Sequence, residues 1–517
     1  MIRSTNNSTV YITGAGPGNP SLLTIKAREI IEKADVITYD NLVSKEILEL
    51  ALLLNPRTKL VCVGKVGGQK EKSLSQEQIN NLLLELSKDN KIICRLKGGD
   101  PNIFGRGAEE AIFLRENNIN FEIVPGVSSI TAAPAYAGIP LTHRDCTSSF
   151  TVLTAHEDPD SPYNTINWES FDAINSTLVL LMGTKHLSKI AEKLISLGRS
   201  KDTPLAIIYK GTTSSQNTRV MTLKDVVEKL NQNPIKTPSI IIIGDVVNYR
   251  DILNWYESKM LFGKKILITR PKEQSMFFAE RLISLGAKPV ISPLVSYLIE
   301  EKEIYNKNII NNIPSFDWIF FTSQNAVKFF FEILNKNCYD SRILSQSQIA
   351  AVGYKTKLEL EKYNIKADFV PKKFSFNDLI DELSERENLK EKRILHPTQN
   401  VEARLIASLP SIMTWHIYKA NFVNNLDEEI INQIKEGIDI YTFFSSNTLI
   451  HFNTLLEKYD LKEIVKKVII ATIGEETSKS AKELFGKVDI IAEPFTEEGL
   501  IMSIEKYFEK ETISING

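Results

Sequence analysis

Short apolar runs recur along the chain. Each is followed by glycine or small polar residues, and then by a stretch with helical spacing of apolar positions. Val10-Tyr11-Ile12-Thr13 leads into Gly14-Ala15-Gly16-Pro17-Gly18, and residues 22–34 are then helical in period. Residues 35–40 and 60–63 read as further strands, and 77–86 as an amphipathic helix. Strands are predicted again at 91–94 and 121–124, and in a second group at 150–154, 177–182, 204–209 and 239–244. Strands alternating with helices predict an α/β architecture with two lobes. Ligands in such sheets sit outside the carboxyl ends of strands. The loops at Gly183-Thr184, Lys210-Gly211-Thr212-Thr213 and Asp245-Val246 are all expected there.

A tryptophan-containing segment ends near residues 256–264, and a new strand, Lys265-Ile266-Leu267-Ile268-Thr269, begins after it. The rest of the chain repeats a theme. Trp318-Ile319-Phe320-Phe321 precedes Thr322-Ser323-Gln324-Asn325, and Ile440-Tyr441-Thr442-Phe443-Phe444 precedes Ser445-Ser446-Asn447. Ile349-Ala350-Ala351-Val352-Gly353 is followed by Thr356, and Ile469-Ile470-Ala471-Thr472-Ile473-Gly474 by Thr477. The pair of motifs occurs twice in the same order, which predicts a duplicated, doubly wound α/β lobe. Two such lobes enclose a cleft, the usual place for a ligand. The hydroxyls at these helix starts either cap the helices or hold anionic groups.

Composition narrows the function classes. The 517 residues suffice for three or four domains, and 43% hydrophobic and 24% charged residues are ordinary for a soluble globular protein. No apolar run approaches bilayer length, and no signal-peptide core follows Met1. The net charge of −2 argues against non-specific nucleic-acid binding. Cys62, Cys94, Cys146 and Cys338 are far apart and form no Cys-x-x-Cys pair, so neither zinc nor a disulfide framework is suggested. The expectation is a reduced, cytoplasmic protein.

The candidate chemistry centres on Arg95-Leu96-Lys97-Gly98-Gly99-Asp100-Pro101-Asn102-Ile103-Phe104-Gly105-Arg106. Gly98 and Gly99 bare the backbone where a strand ends, and Asp100 places a carboxylate beside it. A ligand-binding loop and a tight structural loop both fit. The strand–glycine–helix–strand order ending in Asp40 imitates a dinucleotide fingerprint. The imitation is imperfect, because Pro17 replaces a flexible position and the third glycine comes too soon. Lys65 leaves a strand end beside Gly64. It suits proton donation or carboxylate binding, and equally a solvated loop. Ser128 and Ser129 follow Pro125-Gly126-Val127, as caps or as ligand contacts.

These motifs, with Tyr39-Asp40-Asn41-Leu42-Val43, Phe104-Gly105-Arg106-Gly107, 135–144 (Ala-Tyr-Ala-Gly-Ile-Pro-Leu-Thr-His-Arg), Leu181-Met182-Gly183, Gly211-Thr212 and Asn254-Trp255, resemble uroporphyrinogen-III C-methyltransferases over nearly all of 8–257. Residues 264–510 resemble uroporphyrinogen-III synthase through Ile268-Thr269-Arg270-Pro271, 321–327 (Phe-Thr-Ser-Gln-Asn-Ala-Val), Ala351-Val352-Gly353, Tyr418 and 471–477 (Ala-Thr-Ile-Gly-Glu-Glu-Thr). The resemblance implies a two-lobed methylase fold with lobes at about 8–145 and 146–257. It implies a synthase whose lobes are about 264–298 plus 419–510, and 299–418. S-adenosylmethionine would be held by Pro17, Gly98, Gly99, Asp100, Ile103, Ser128, Ser129, Met182 and Gly211, in a homodimer that uses no metal. Asp40 would accept a proton and Lys65 donate one. The chain departs from the family around Lys65, where 69–73 lack the usual histidine and three extra residues follow Asp40. No dehydrogenase–chelatase domain is expected before residue 8. Substrate carboxylates would meet Arg106, His143 and Arg144 in the first half, and Ser323, Thr356, Ser445 and Thr477 in the second, where Tyr418 would assist departure of a hydroxyl. The expected product is precorrin-2, on the route to sirohaem or cobalamin. The alternatives are a methyltransferase for a later corrin intermediate and a second half that only binds tetrapyrrole.

Overall fold

The computed structural model describes residues 8–64, 74–161, 165–169, 175–229, 235–372, 375–399 and 412–516, the side chains of 510–516 excepted. The first sheet contains β1 (Thr9–Gly14), β2 (Val36–Tyr39), β3 (Lys59–Cys62), β4 (Ile92–Lys97) and β5 (Asn120–Val124) in the order β3-β2-β4-β1-β5, all parallel. The central strands β1 and β4 are almost wholly buried because helices cover both faces, and the two charged residues of β4, Arg95 and Lys97, are buried with them. Helix Ile25–Lys33 shows the local logic. Thr24 caps it by accepting the Ala27 N–H, and Ala27, Ile30, Ile31 and Ala34 form the buried stripe.

The second sheet contains β6 (Phe150–Thr154), β7 (Thr177–Leu181), β8 (Pro204–Tyr209), β9 (Asn217–Thr222) and β10 (Ser239–Ile243), ordered β6-β7-β10-β8-β9. Here β10 runs antiparallel to both neighbours. The carboxyl ends of β7 and β8 therefore share an edge with the start of β10. The Asp245-Val246 turn leaves from the opposite edge, contrary to the sequence expectation, because apolar periodicity carries no mark of strand direction.

The second half comprises β11 (Lys265–Ile268), β12 (Lys288–Ile291), β13 (Val295–Ile299), β14 (Trp318–Phe321), β15 (Gln348–Ala351), β16 (Ile394–Thr398), β17 (Ile412–His416), β18 (Tyr418–Phe422), β19 (Ile440–Phe443), β20 (Ile469–Thr472) and β21 (Ile490–Ile491). Two parallel sheets, β12-β11-β19-β20-β21 and β15-β14-β16-β17, form two lobes. The antiparallel ribbon β13–β18 joins them, with Ile299 opposite Tyr418. Between the halves, the 256–264 segment is packed rather than loose. Tyr256 is 1% exposed, lies against Tyr136 and Phe262, and donates to the Thr212 carbonyl at 3.3 Å.

His396, on the inner strand β16, is 5% exposed and stacks on Phe376 at 4.9 Å. Burial, with the neighbouring His416 charge adding to it, pushes its pKa down to about 4. An unfolded chain takes up this proton near pH 6.5, so the unfolded state binds more protons between pH 6.5 and 4, and stability falls as pH drops through that window. The effect of this one group is about 3 kcal/mol when complete. Replacing His396 with Gln should flatten the loss of urea resistance between pH 6.5 and 4, read by fluorescence of Trp318 and Trp415 in the same lobe. An identical pH slope in both proteins would refute the assignment.

Candidate active sites

At the carboxyl edge of the first sheet, β1, β4 and β5 end in Gly14, Gly98-Gly99 and Pro125-Gly126. A Cβ on Gly14 would lie 2.5 Å from the Gly126 Cα and 2.6 Å from the Gly99 carbonyl oxygen, so the three backbones touch. Gly99 has φ +68, where glycine is favoured. A Cβ there would come into ordinary van der Waals contact with the Ser128-Ser129 backbone, at 3.8–3.9 Å. Gly99 also borders a cavity of about 600 Å³ between the two sheets. Pro17, Gly98, Gly99, Ser129, Met182 and Gly211 line it, so the structure brings together six of the nine residues expected to hold the cofactor. Met182 sits there in a left-handed backbone conformation (φ +59).

The other three border the cleft without lining it. Asp100 braces the loop, with one oxygen accepting the Asn102 N–H at 2.8 Å and the other the Gly126 N–H at 3.0 Å. Ser128 caps helix Ser129–Tyr136 by accepting the Ile130 N–H at 3.3 Å. Ile103 is 40% exposed on the loop. Sequence reasoning missed Leu42, Ala133, Lys210 and Thr237-Pro238, which also line the cavity. Lys210 lay in a noted loop. Thr237-Pro238 reaches the cleft only because β10 runs antiparallel.

Asp40 follows β2, directly before the cavity-lining Asn41 and Leu42. Its carboxylate accepts from Arg95 Nη2 at 2.6 Å. Arg95, 1% exposed, also faces Glu110 at 3.3 Å, and Glu110, wholly buried, takes Lys97 at 2.7 Å and Gln76 at 3.2 Å. Two cations and two carboxylates thus alternate from the sheet to its edge. Burial, then the Arg95 charge, hold the Lys97 pKa below the usual lysine range. Arg95 stays charged: burial opposes this, and Glu110 and Asp40 outweigh it. Lys65 lies outside the described residues.

Among the described residues, none of Arg106, His143 and Arg144, the substrate candidates of the first half, lines the cavity. Arg106 chelates Glu109 through Nε at 2.9 Å and Nη2 at 2.6 Å. His143 Nδ1 lies 2.8 Å from the Tyr249 hydroxyl, beside the turn after β10, and Arg144 is exposed.

In the second half, the Ser323 hydroxyl lies 3.0 Å from that of Tyr418 and accepts the Ala326 N–H at 3.1 Å. Tyr418 is 6% exposed and stacks on Phe329 at 5.2 Å. Burial pushes its phenol pKa up, against the Ser323 hydrogen bond, so it stays protonated. Ser445 accepts the Thr448 N–H at 3.3 Å. Ser445 and Thr477 line one cavity of about 550 Å³ with Phe444 and Phe495. Thr356 is buried in the first turn of helix Tyr354–Glu361.

Comparison with known proteins matches each half separately. The family of tetrapyrrole (corrin/porphyrin) methylases matches residues 9–227, and uroporphyrinogen-III synthase HemD matches residues 277–502. The porphyrin biosynthesis protein HemD of Ruminiclostridium josui is 35% identical over 499 residues, covering 95% of this chain and 96% of that protein. The uroporphyrinogen-III C-methyltransferase of Bacillus subtilis (strain 168) is 39% identical over 356 residues, 69% of this chain and 72% of that one. The S-adenosyl-L-methionine-dependent uroporphyrinogen III methyltransferase of Methanosarcina barkeri (strain Fusaro / DSM 804) is 44% identical over 250 residues, 48% of this chain and 96% of that one. With likeness running through both halves and along nearly the whole length, the chain belongs to the family of porphyrin biosynthesis proteins that join a tetrapyrrole methylase to a uroporphyrinogen-III synthase.

Proposed function

We propose that the second half closes hydroxymethylbilane to uroporphyrinogen III with inversion of ring D, and that the first half methylates that product twice to precorrin-2. The observation that carries the methylation reading is the bare-backbone cleft between two sheets, with Asp40 fixed at its rim by Arg95. S-adenosylmethionine supplies an electrophilic methyl group on a sulfonium. Pro17, Gly98, Gly99, Ser129, Met182 and Gly211 would hold it: they line one cavity, and the bare backbone of Gly98 and Gly99 fits a closely held ligand. The cleft walls align methyl and pyrrole carbon and exclude water. Carbon methylation leaves a cationic ring that must lose a proton, and Asp40, held by Arg95, would take it. Lys65 is assigned to proton donation by resemblance alone. Arg106, His143 and Arg144 are read as contacts for the substrate's outlying carboxylates. The first half is read as acting in a homodimer and the chain as cytoplasmic. No helix among the described residues is long and apolar enough to cross a membrane.

In the second half, the protonated Tyr418 phenol is suited to help hydroxide leave the linear substrate, and its bond to Ser323 aims it. Ser323, Ser445, Thr356 and Thr477 sit at helix N-termini that favour carboxylates. The lobes steer ring closure away from the unassisted isomer. The domain limits proposed are 8–257 and 264–510.

Incubating the full chain with hydroxymethylbilane and isotopically labelled S-adenosylmethionine tests both halves: a dimethylated type III product is expected. Methylation of only the type I isomer would leave the second half a binding module. Asp40→Asn should slow methyl transfer about 100-fold or more, while calorimetric cofactor affinity changes little; equal loss of both would sink the proton-acceptor role. Tyr418→Phe should slow type III formation by about 10–100-fold with unchanged melting, and an unaltered rate would remove the acid assignment.

A further inference from the structure

Glu497 opens the C-terminal helix Glu497–Asn516, and its side chain is only 9% exposed. Two cations converge on one of its oxygens, and they come from different lobes of the second half. Arg270, just past β11, donates through Nη1. Lys355, in the first turn of helix Tyr354–Glu361, donates through Nζ at 2.5 Å. A second bridge runs alongside: Arg270 donates to Gln274 at 3.1 Å, and Gln274 donates to Asn325 of the other lobe at 3.3 Å. Burial disfavours the Glu497 charge, but the Arg270 and Lys355 charges outweigh it, so the carboxyl stays below its ordinary range and ionised.

Through neighbouring residues this cluster connects to the helix starts that carry the polar residues assigned to substrate carboxylates in the second half. Lys355 directly precedes Thr356, and its carbonyl accepts from Gln324, next to Ser323, at 3.3 Å. The Arg270 guanidinium lies 4.6 Å over the ring of Phe444, directly before Ser445. Phe495, two residues before Glu497, shares a cavity with Ser445 and Thr477. A carboxylate held between a guanidinium and an ammonium at the junction of two lobes has the chemistry of a bound substrate side chain. Lys355 is 54% exposed, so the site opens to solvent on that side.

We propose that Arg270 and Lys355 form an anchoring site for one acetate or propionate of the linear substrate, and that Glu497 occupies this site in the free chain. The inference rests on reading the second half as a ring-closing synthase. An incoming carboxylate replaces Glu497 charge for charge, so the site is never left with two unpaired cations. The exchange also breaks the ion pair that ties the lobes together, so substrate entry and lobe separation are one event.

The test is the rate of type III isomer formation by the full chain against hydroxymethylbilane concentration. Glu497→Gln keeps a hydrogen-bonding side chain and removes the competing charge. Its KM should fall about 3–10-fold with kcat nearly constant, the signature of changed ground-state binding. Lys355→Gln and Arg270→Gln should each raise KM about 10-fold or more. In Arg270→Gln/Glu497→Gln the gain from the second change should vanish, because residues sharing one network do not add. A KM that Glu497→Gln leaves unchanged or raises, with wild-type melting, overturns the anchoring site. If that variant does not fold, the exposed Lys355→Gln decides: an unchanged KM overturns the proposal. Wild-type chain that forms no type III isomer would overturn the synthase reading and this inference together. Type III formation with an unresponsive KM overturns the inference alone.

Discussion

At the carboxyl ends of β1, β4 and β5 three backbones meet closer than any side chain would permit. A Cβ on Gly126 would fall 2.3 Å from the Gly99 carbonyl oxygen, and one on Gly14 would meet Gly126. Gly16 and Gly99 exchange N–H···O bonds at 3.2 and 2.7 Å, so the loops after β1 and β4 are paired to each other. Asp100 ties the third strand in through the Gly126 N–H. The result is a cleft floor made of main chain, with the Ser128-Ser129 helix start drawn up beside it. A methyl group on Gly14 or Gly126 would wedge the strand ends apart and change the floor for everything bound above it.

The two halves stabilise their polar residues in different ways. In the first, Asp40, Arg95, Glu110 and Lys97 form a chain of alternating charge that is mostly withdrawn from solvent. Removing one member of such a set leaves an uncompensated buried charge, at a cost of roughly 3–5 kcal/mol, so the geometry around Asp40 is stiff. In the second half the β13–β18 ribbon and polar bridges such as Lys355–Glu497 and Gln274–Asn325 link the lobes, so their polar residues lie across a joint. Carbon methylation needs fixed alignment of two reactants. Closing a flexible linear molecule on itself needs walls that can first admit it.

Apolar periodicity places the central strands and the alternation of the fold, because buried strands read as plain hydrophobic runs, but it passes over β9, β12, β13, β16, β17, β18 and β21, several of them edge or ribbon strands of mixed polarity. Strand direction left no such mark, so the Asp245-Val246 turn was placed at the wrong edge and Thr237-Pro238 was overlooked. Glu110 did carry a signal. Gly107, Glu110, Ala111 and Leu114 share one helical face, so a carboxylate on that otherwise buried stripe has to find a buried cation. Its neighbour Glu109 points outward to Arg106. The pairing of Asp40 with Arg95 depends on β2 lying beside β4, a register that spacing does not reveal. Ser323 and Tyr418 are 95 residues apart and meet only because the ribbon brings β18 back to the lobe junction.

The order in which the second half leaves the ribosome follows from its sheets. β11 and β12 emerge early, but β11 must pair with β19, whose Tyr441 sits opposite Leu267. Between them the chain delivers all of β14 to β17, a complete parallel sheet with its own core around Phe330 and Trp415. The inserted lobe can therefore fold while the lobe that surrounds it is still half-made. During that interval β11, wholly apolar from Ile266 to Ile268, has one open edge and only β12 for company. Nascent chains stalled before residue 440 would leave that edge unpaired, a ready template for pairing with another chain.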